Sequence, residues 1–278
     1  MIKKYNEAYK TTYRKFESIS DLVNTIQHSC VNPIFENPDE QRSEMGNERF
    51  TGTSSYEEAE NMLLHGWNYM SKELTKRLNV QNNGMVTKQK NVYDVVGYQA
   101  SVPRYLQGIP TNMIRQKQVK IENKVIILNK SIGYNCKVKK EQIIEESVKA
   151  LQLVRSLEAK GYKVELNIVC IIGDNRRVVS YDNSDINGIA IKICLKKASQ
   201  RLNIKQTAFP LVHPSMLRRI IFRLIERSEE CNRIQYLSCY GYPVMPEHKI
   251  YKELFKGEYL IPSIVSESTI EDISKYLL

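Results

Sequence analysis

One segment constrains the fold of this chain more than any other. Val125-Ile126-Ile127-Leu128-Asn129-Lys130-Ser131 is an apolar run that turns polar at its end, the pattern of a buried strand running into a loop. A helix over Glu141–Lys160 follows, with Ile143, Ile144, Val148, Leu151, Val154 and Leu157 at helical spacing and Gly161 to end it. Lys163 to Ile172 then reads as a second buried strand. This strand–helix–strand unit predicts an α/β fold, with a mostly parallel sheet and helices on both faces. Such folds place their chemistry in loops at the carboxyl ends of the strands. Here that position carries Asn129 and Ser131, with no carboxylate.

The flanking sequence predicts three parts: a helical N-terminal region over 1–90, a connecting loop segment over 91–116, and an α/β domain over 117–278 with a C-terminal helix. Residues 3–16 place Tyr5, Tyr9, Tyr13 and Phe16 at spacings of four, four and three, which on a helix is one aromatic face. Residues 32–54 are rich in Asn, Pro, Glu, Ser and Gly and read as loop or linker. Ser55 and Glu58 form a capping box that starts a helix, and Gly66 ends it. A helix over Asn68–Leu78 follows. Val92–Val96 is a short strand. Ser101-Val102-Pro103 then suits a helix start between two glycine- and proline-marked turns. Strands are expected at Val119–Ile121, Ile189–Leu195 and Ile234–Leu237, and a short helix at Lys196–Leu202. Pro214 opens a helix to about Glu229, and Ser268–Glu271 caps the last one.

The chain has no run of about 18 apolar residues, so a spanning helix and a membrane partner are not expected. Its start lacks the apolar core of a secretory signal. Six cysteines at 30, 136, 170, 194, 231 and 239 form no C-x-x-C pair, as expected of reduced thiols. The net charge is +10; residues 117–278 hold 27 basic and 18 acidic residues and so carry most of the excess. A localised excess of this kind suits nucleic acid or an acidic partner.

Two resemblances rest on particular residues. Gly52–Ala59 with His65-Gly66-Trp67, Gly97 through Pro110 with Met113, the strand before Ser131, and the helix ending Gly161-Tyr162-Lys163-Val164-Glu165-Leu166 occur in an order that resembles an uncharacterised bacteriophage protein family, over roughly residues 50–172. That resemblance implies a phage-encoded protein working in the host bacterial cytoplasm or in the virion, and it supplies no activity. More remotely, residues 117–230 resemble a von Willebrand factor A-type domain. In that family the first strand ends in Asp-x-Ser-x-Ser and holds a divalent metal. The matching positions here are Asn129, Ser131 and Gly133. An amide lacks the anionic charge that holds a hard cation, so the likeness implies the fold with a degenerate metal site.

Catalytic signals are sparse. The histidines (28, 65, 213 and 248) lack metal-ligand spacing, and no phosphate loop, dinucleotide fingerprint or nucleophile elbow occurs. No cofactor and no enzyme activity are expected. Cys136 lies near Lys137, Lys139 and Lys140 before a helix start, a setting that can lower a thiol pKa but is a weak catalytic signal in a lone cysteine, and the aspartates at 174, 182 and 185 match no calcium loop and read as a solvated hairpin.

The leading expectation is a non-enzymatic protein that binds a macromolecular partner, most simply a protein, as a host-defence inhibitor or a phage accessory or assembly factor. Its contact residues would be Tyr5, Tyr9, Tyr13 and Phe16 on the aromatic helix, and Tyr98, Arg104, Tyr105 and Asn112 in the loop segment. The alternative is nucleic-acid binding through Arg218, Arg219, Arg223 and Arg227, a cationic ridge opposite the apolar stripe of helix 214–229, with Lys137, Lys139 and Lys140. That ridge can equally be a solvated face paired with Glu226, Glu229 and Glu230. A third reading, an enzyme acting on a phosphate-containing substrate through Ser131 and Asp185, lacks a legible acid/base pair.

Overall fold

The computed structural model describes residues 2–4, 11–37, 41–45, 48–79, 89–118, 124–134, 138–173, 186–229, 242–245 and 248–262. The chain begins with strands β1 (Ile2–Lys4) and β2 (Thr11–Phe16), followed by helices α1 (Ile19–His28), α2 (Glu48–Thr51), α3 (Tyr56–His65) and α4 (Asn68–Asn79). A small insert comes next: β3 (Gln89–Asp94), β4 (Gln99–Ala100), α5 (Val102–Leu106) and β5 (Met113–Gln118). The second half contains β6 (Val125–Ser131), α6 (Lys140–Ala159), β7 (Lys163–Gly173), β8 (Gly188–Lys196) and α7 (Ile204–Val212). A π-helical stretch at Met216–Ile221 continues as α8 (Phe222–Glu226), followed by β9 (Tyr242–Pro243), α9 (Lys249–Leu254) and β10 (Tyr259–Ile261).

The main sheet runs β1-β2-β8-β7-β6-β10, with β9 joined to β7. Pairs β6–β7, β6–β10 and β2–β8 are parallel, whereas β7–β8 is antiparallel. The later part of β7, Ile168–Ile172, is apolar on both faces because both are covered. Val164, Leu166, Ile168, Cys170 and Ile172 point into the larger core, shared with α1, α3, α4, α6, α7 and the 216–226 helix. Val169 and Ile171 point the other way, onto Ala190, Ile250, Tyr251 and Phe255. The α/β fold read from the strand–helix–strand unit is therefore the fold observed, with helices on both faces.

Ser55 and Gly66 bound α3 as their sequence pattern indicates, whereas Ser101 makes no side-chain cap bond ahead of α5. Ser55 Oγ accepts the Glu58 amide at 3.1 Å, while the Glu58 carboxylate reaches back to Ser54 N and Oγ at 2.8 and 2.7 Å. Gly66 ends α3 at φ +85°, and a Cβ there would meet the Lys205 carbonyl oxygen at 2.7 Å. Only glycine suits both the angle and that approach.

Several expectations are corrected. Residues 11–16 form a strand, not a helix: Thr11–Phe16 lies in parallel register with Gly188–Ile193. Tyr13 therefore packs with Phe255 on one face of the sheet and Phe16 enters the larger core on the other. The N-terminal ninety residues are not a separate helical region, because β2 belongs to the main sheet and α1, α3 and α4 share its core. Residues 197–203 form a turn, and the helix lies later, at Ile204–Val212. The strands expected at 119–121 and 234–237 and the helix expected at 268–278 lie outside the described residues.

Candidate functional site

The strand-end position is occupied by structural contacts. Asn129 is fully buried. Its Oδ1 accepts from Asn167 Nδ2 at 3.2 Å, and its Nδ2 donates to Glu258 Oε2 at 2.5 Å. Two carboxylates meet this amide pair: Glu258, which Lys192 Nζ contacts at 2.9 and 2.7 Å, and Glu165, whose Oε1 accepts from Asn167 Nδ2 at 3.1 Å. An amide fits at Asn129 because it donates to Glu258 and accepts from the next strand at once. On the opposite face Lys130 is also fully buried. It pairs with Glu146 at 2.9 Å and donates to the carbonyls of Ser131 and Pro262 at 2.8 and 3.2 Å. Burial lowers the pKa of Lys130, and Glu146 acts against that shift. Ser131 is buried beside it. Among the described residues no cluster of three or more His, Cys, Asp or Glu side chains is placed to hold a metal.

The expected arginine ridge faces inward. Arg219 is 0% exposed. It donates to Thr53 Oγ1 and O, each at 2.8 Å, to Thr51 Oγ1 at 3.2 Å, and to the carbonyls of Ser43 and Glu44 at 2.7 and 3.3 Å. Arg223 binds Gln41 Oε1 at 2.7 Å and the Glu44 carboxylate at 2.9 Å, and it lies over the Tyr56 ring. Arg227 donates to the carbonyls of Ile26 and Ser29 at 2.8 and 2.9 Å. Arg218 bonds the Phe50 carbonyl and stacks on its ring. Glu226, also fully buried, accepts the amide and the hydroxyl of Ser43. The polar side of this helix is therefore a staple for the end of α1 and for residues 41–45 and 50–53, described parts of the segment read as a linker. A guanidinium committed to protein acceptors is not presented to a phosphate backbone. Of the lysines grouped with the ridge, Lys139 is exposed ahead of α6, Lys140 is the first residue of α6, and Lys137 lies outside the described residues.

The loop segment behaves differently. Residues 89–118 fold as their own antiparallel sheet, β3-β5-β4, with α5 at one end. Gly97 allows the chain to cross close to β5: a Cβ there would sit 2.2 Å from the Ile114 carbonyl oxygen. Tyr98 N donates to that oxygen at 2.9 Å, and Ser101 N donates to the Asn112 carbonyl at 2.7 Å. Arg104 lies 4.0 Å over the Tyr93 ring and donates to Thr111 O and Oγ1 at 2.9 and 3.2 Å. The backbone is thus tied down, yet no described side chain between residues 91 and 116 is buried. Val95, Val96, Tyr98, Val102, Tyr105 and Leu106 are 61% to 78% exposed.

A family model described as "Domain of unknown function (DUF7192)" matches residues 3–277. The chain belongs to this family. No curated protein and no solved structure matches it.

Within this DUF7192 chain Tyr98, Arg104, Tyr105 and Asn112 all lie in the lobe that β3, β4, α5 and β5 form. Tyr13 and Phe16 are elsewhere, divided between the two faces of the main sheet, and Tyr5 and Tyr9 lie outside the described residues. Val95, Val96, Val102 and Leu106 were not singled out from the sequence. Val95-Val96 continues an apparent strand, but the chain bends there and exposes both side chains. The described residues contain no helix long and apolar enough to cross a membrane.

Proposed function

We propose that this protein is non-enzymatic and works by binding a protein partner through the 89–118 lobe. One observation carries the reading: an ordered lobe holds six large apolar side chains in solvent, all within residues 95–106. Isolated exposed apolar residues are ordinary, whereas a contiguous set marks an interaction surface. Tyrosines on a hydrogen-bonded scaffold contribute contact area at low entropic cost, as interface hot spots do. The polar groups at the strand end of β6 are committed to one another, which supports binding over catalysis.

The resemblance of residues 50–172 to bacteriophage proteins supports a finer version: a phage-encoded inhibitor of host defence, or an accessory or assembly factor, working in the bacterial cytoplasm or the particle. The strand–helix–strand unit with its buried Asn129 supports the likeness to von Willebrand A-type domains.

Affinity capture from the source cells tests the reading, with the full chain and a Val96→Ser/Tyr105→Ser/Leu106→Ser variant as baits. A stoichiometric protein held by the wild type and lost by an equally stable variant supports it. Equal retention of the same partner by both baits contradicts it.

A further inference from the structure

The lobe carries two chemically distinct surfaces. Its apolar end, residues 95–106, contains a single charged residue, Arg104. The Arg104 guanidinium is turned onto Tyr93 and Thr111, so it contributes little free charge to a contact. On the strands the balance changes. Strands β3 and β5 hold Lys90, Arg115 and Lys117 against Asp94 alone, a net charge of three minus one, +2, which Arg104 raises to +3 for residues 89–118 as a whole. The Arg115 side chain is 61% exposed and meets Asp94 only at 3.5 Å.

From this arrangement we infer the chemistry of the occupant: a segment of a partner protein that seats apolar side chains on the 95–106 end and presents Asp or Glu to the basic strands around Arg115. The inference rests on the reading of the lobe as a contact surface and goes beyond it by naming what the surface accepts. Interfaces combine an apolar centre with a charged rim, and rim charges select partners of opposite sign. A second copy of this chain would bring +3 against +3, and the whole molecule carries +10, so like charge opposes self-association through the lobe. Nucleic acid binds by neutralised phosphates, and the exposed apolar end offers aliphatic side chains where cations would be needed.

Peptide selection tests this. A random peptide library is selected on the immobilised full-length chain and counter-selected on the Val96→Ser/Tyr105→Ser/Leu106→Ser variant. The expected peptides pair aliphatic or aromatic residues with flanking Asp or Glu. Their affinity falls as salt rises, and Arg115→Gln, with unchanged melting, weakens them roughly threefold. Lobe-dependent peptides that are neutral or basic overturn the inference and leave the lobe as a contact surface. If no peptide depends on the lobe, both readings fail. Three further measurements close off other occupants: sedimentation of the chain alone, single-stranded DNA binding, and flotation with phosphatidylserine vesicles. Lobe-dependent dimerisation, DNA binding or vesicle binding would each overturn an acidic protein segment as the occupant.

Discussion

The Nε–H of Arg219 donates to Thr53 Oγ1 at 2.8 Å, joining positions 166 residues apart in the chain. Ser215 Oγ lies 2.9 Å from the same hydroxyl and donates to the Thr51 carbonyl at 2.6 Å. Residues 41–53 carry little apolar surface of their own. They are held by a buried polar layer in which one guanidinium satisfies acceptors on four residues.

Replacing that guanidinium should therefore cost far more than a surface arginine would. Arg219→Met leaves buried carbonyls and hydroxyls without their donor, and we expect a loss of about 3–5 kcal/mol in urea unfolding. Arg219→Lys should recover little, since an ammonium cannot reproduce the planar fork. A change below about 1 kcal/mol would contradict a structural role for this side chain.

Asn129→Asp tests the reading of the strand end. The new carboxylate would sit where the amide now donates to Glu258, so two acids share one buried site and the pKa of the new group rises above its unfolded value. Stability tied to a raised pKa is present at low pH and lost as pH increases. The deficit relative to wild type should be small near pH 4 and reach about 1–3 kcal/mol at pH 7. Thermal melts across that range check it. A stabilised variant would contradict this account, and one raised in melting temperature by Mg²⁺ would show a metal site awaiting its acid.

Burial pushes the Cys170 thiol from 9.0 up to about 12. In the folded state it stays protonated where the unfolded chain ionises. The associated stability is thus complete below about pH 9 and is lost between about pH 9 and pH 12. Denaturant unfolding of Cys170→Ala should show a shallower alkaline decline than wild type. In the folded protein iodoacetamide should label exposed Cys30 quickly and leave buried Cys170 and Cys194 protected.

Large apolar side chains in the lobe should behave as surface residues. Tyr105→Ser and Leu106→Ser are expected to change stability by less than about 0.5 kcal/mol, whereas Leu166→Ala in the core should cost about 2–5 kcal/mol. Equal penalties in both places would mean that the lobe packs against the body.

What was legible in the sequence follows from which contacts are local. The β6–α6–β7 unit could be read because apolar runs and a 3.6-residue stripe encode it within fifty residues. Strand β2 could not, since its pairing with Gly188–Ile193 is remote and the spacing of Tyr5, Tyr9, Tyr13 and Phe16 imitates a helix. Helix α7 was obscured by Pro210, which sits in its last turn. The arginine series lies on one side of its helix, as periodicity indicates, but a helical wheel does not show that the end of α1 and residues 41–45 and 50–53 cover that side. The lobe was half legible: glycines and prolines marked turns around 97–110, while the exposure of Val95, Val96, Val102 and Leu106 depends on the three-strand pairing.

The central claim is that the apolar end of the lobe touches another protein. A photo-reactive amino acid placed at Leu106 in the full chain, with a second variant carrying it at exposed Lys160 as control, tests this directly in the source cells. The account predicts one discrete adduct of higher mass from position 106 and none from position 160. Equal adducts from both positions, or none from 106, would contradict it.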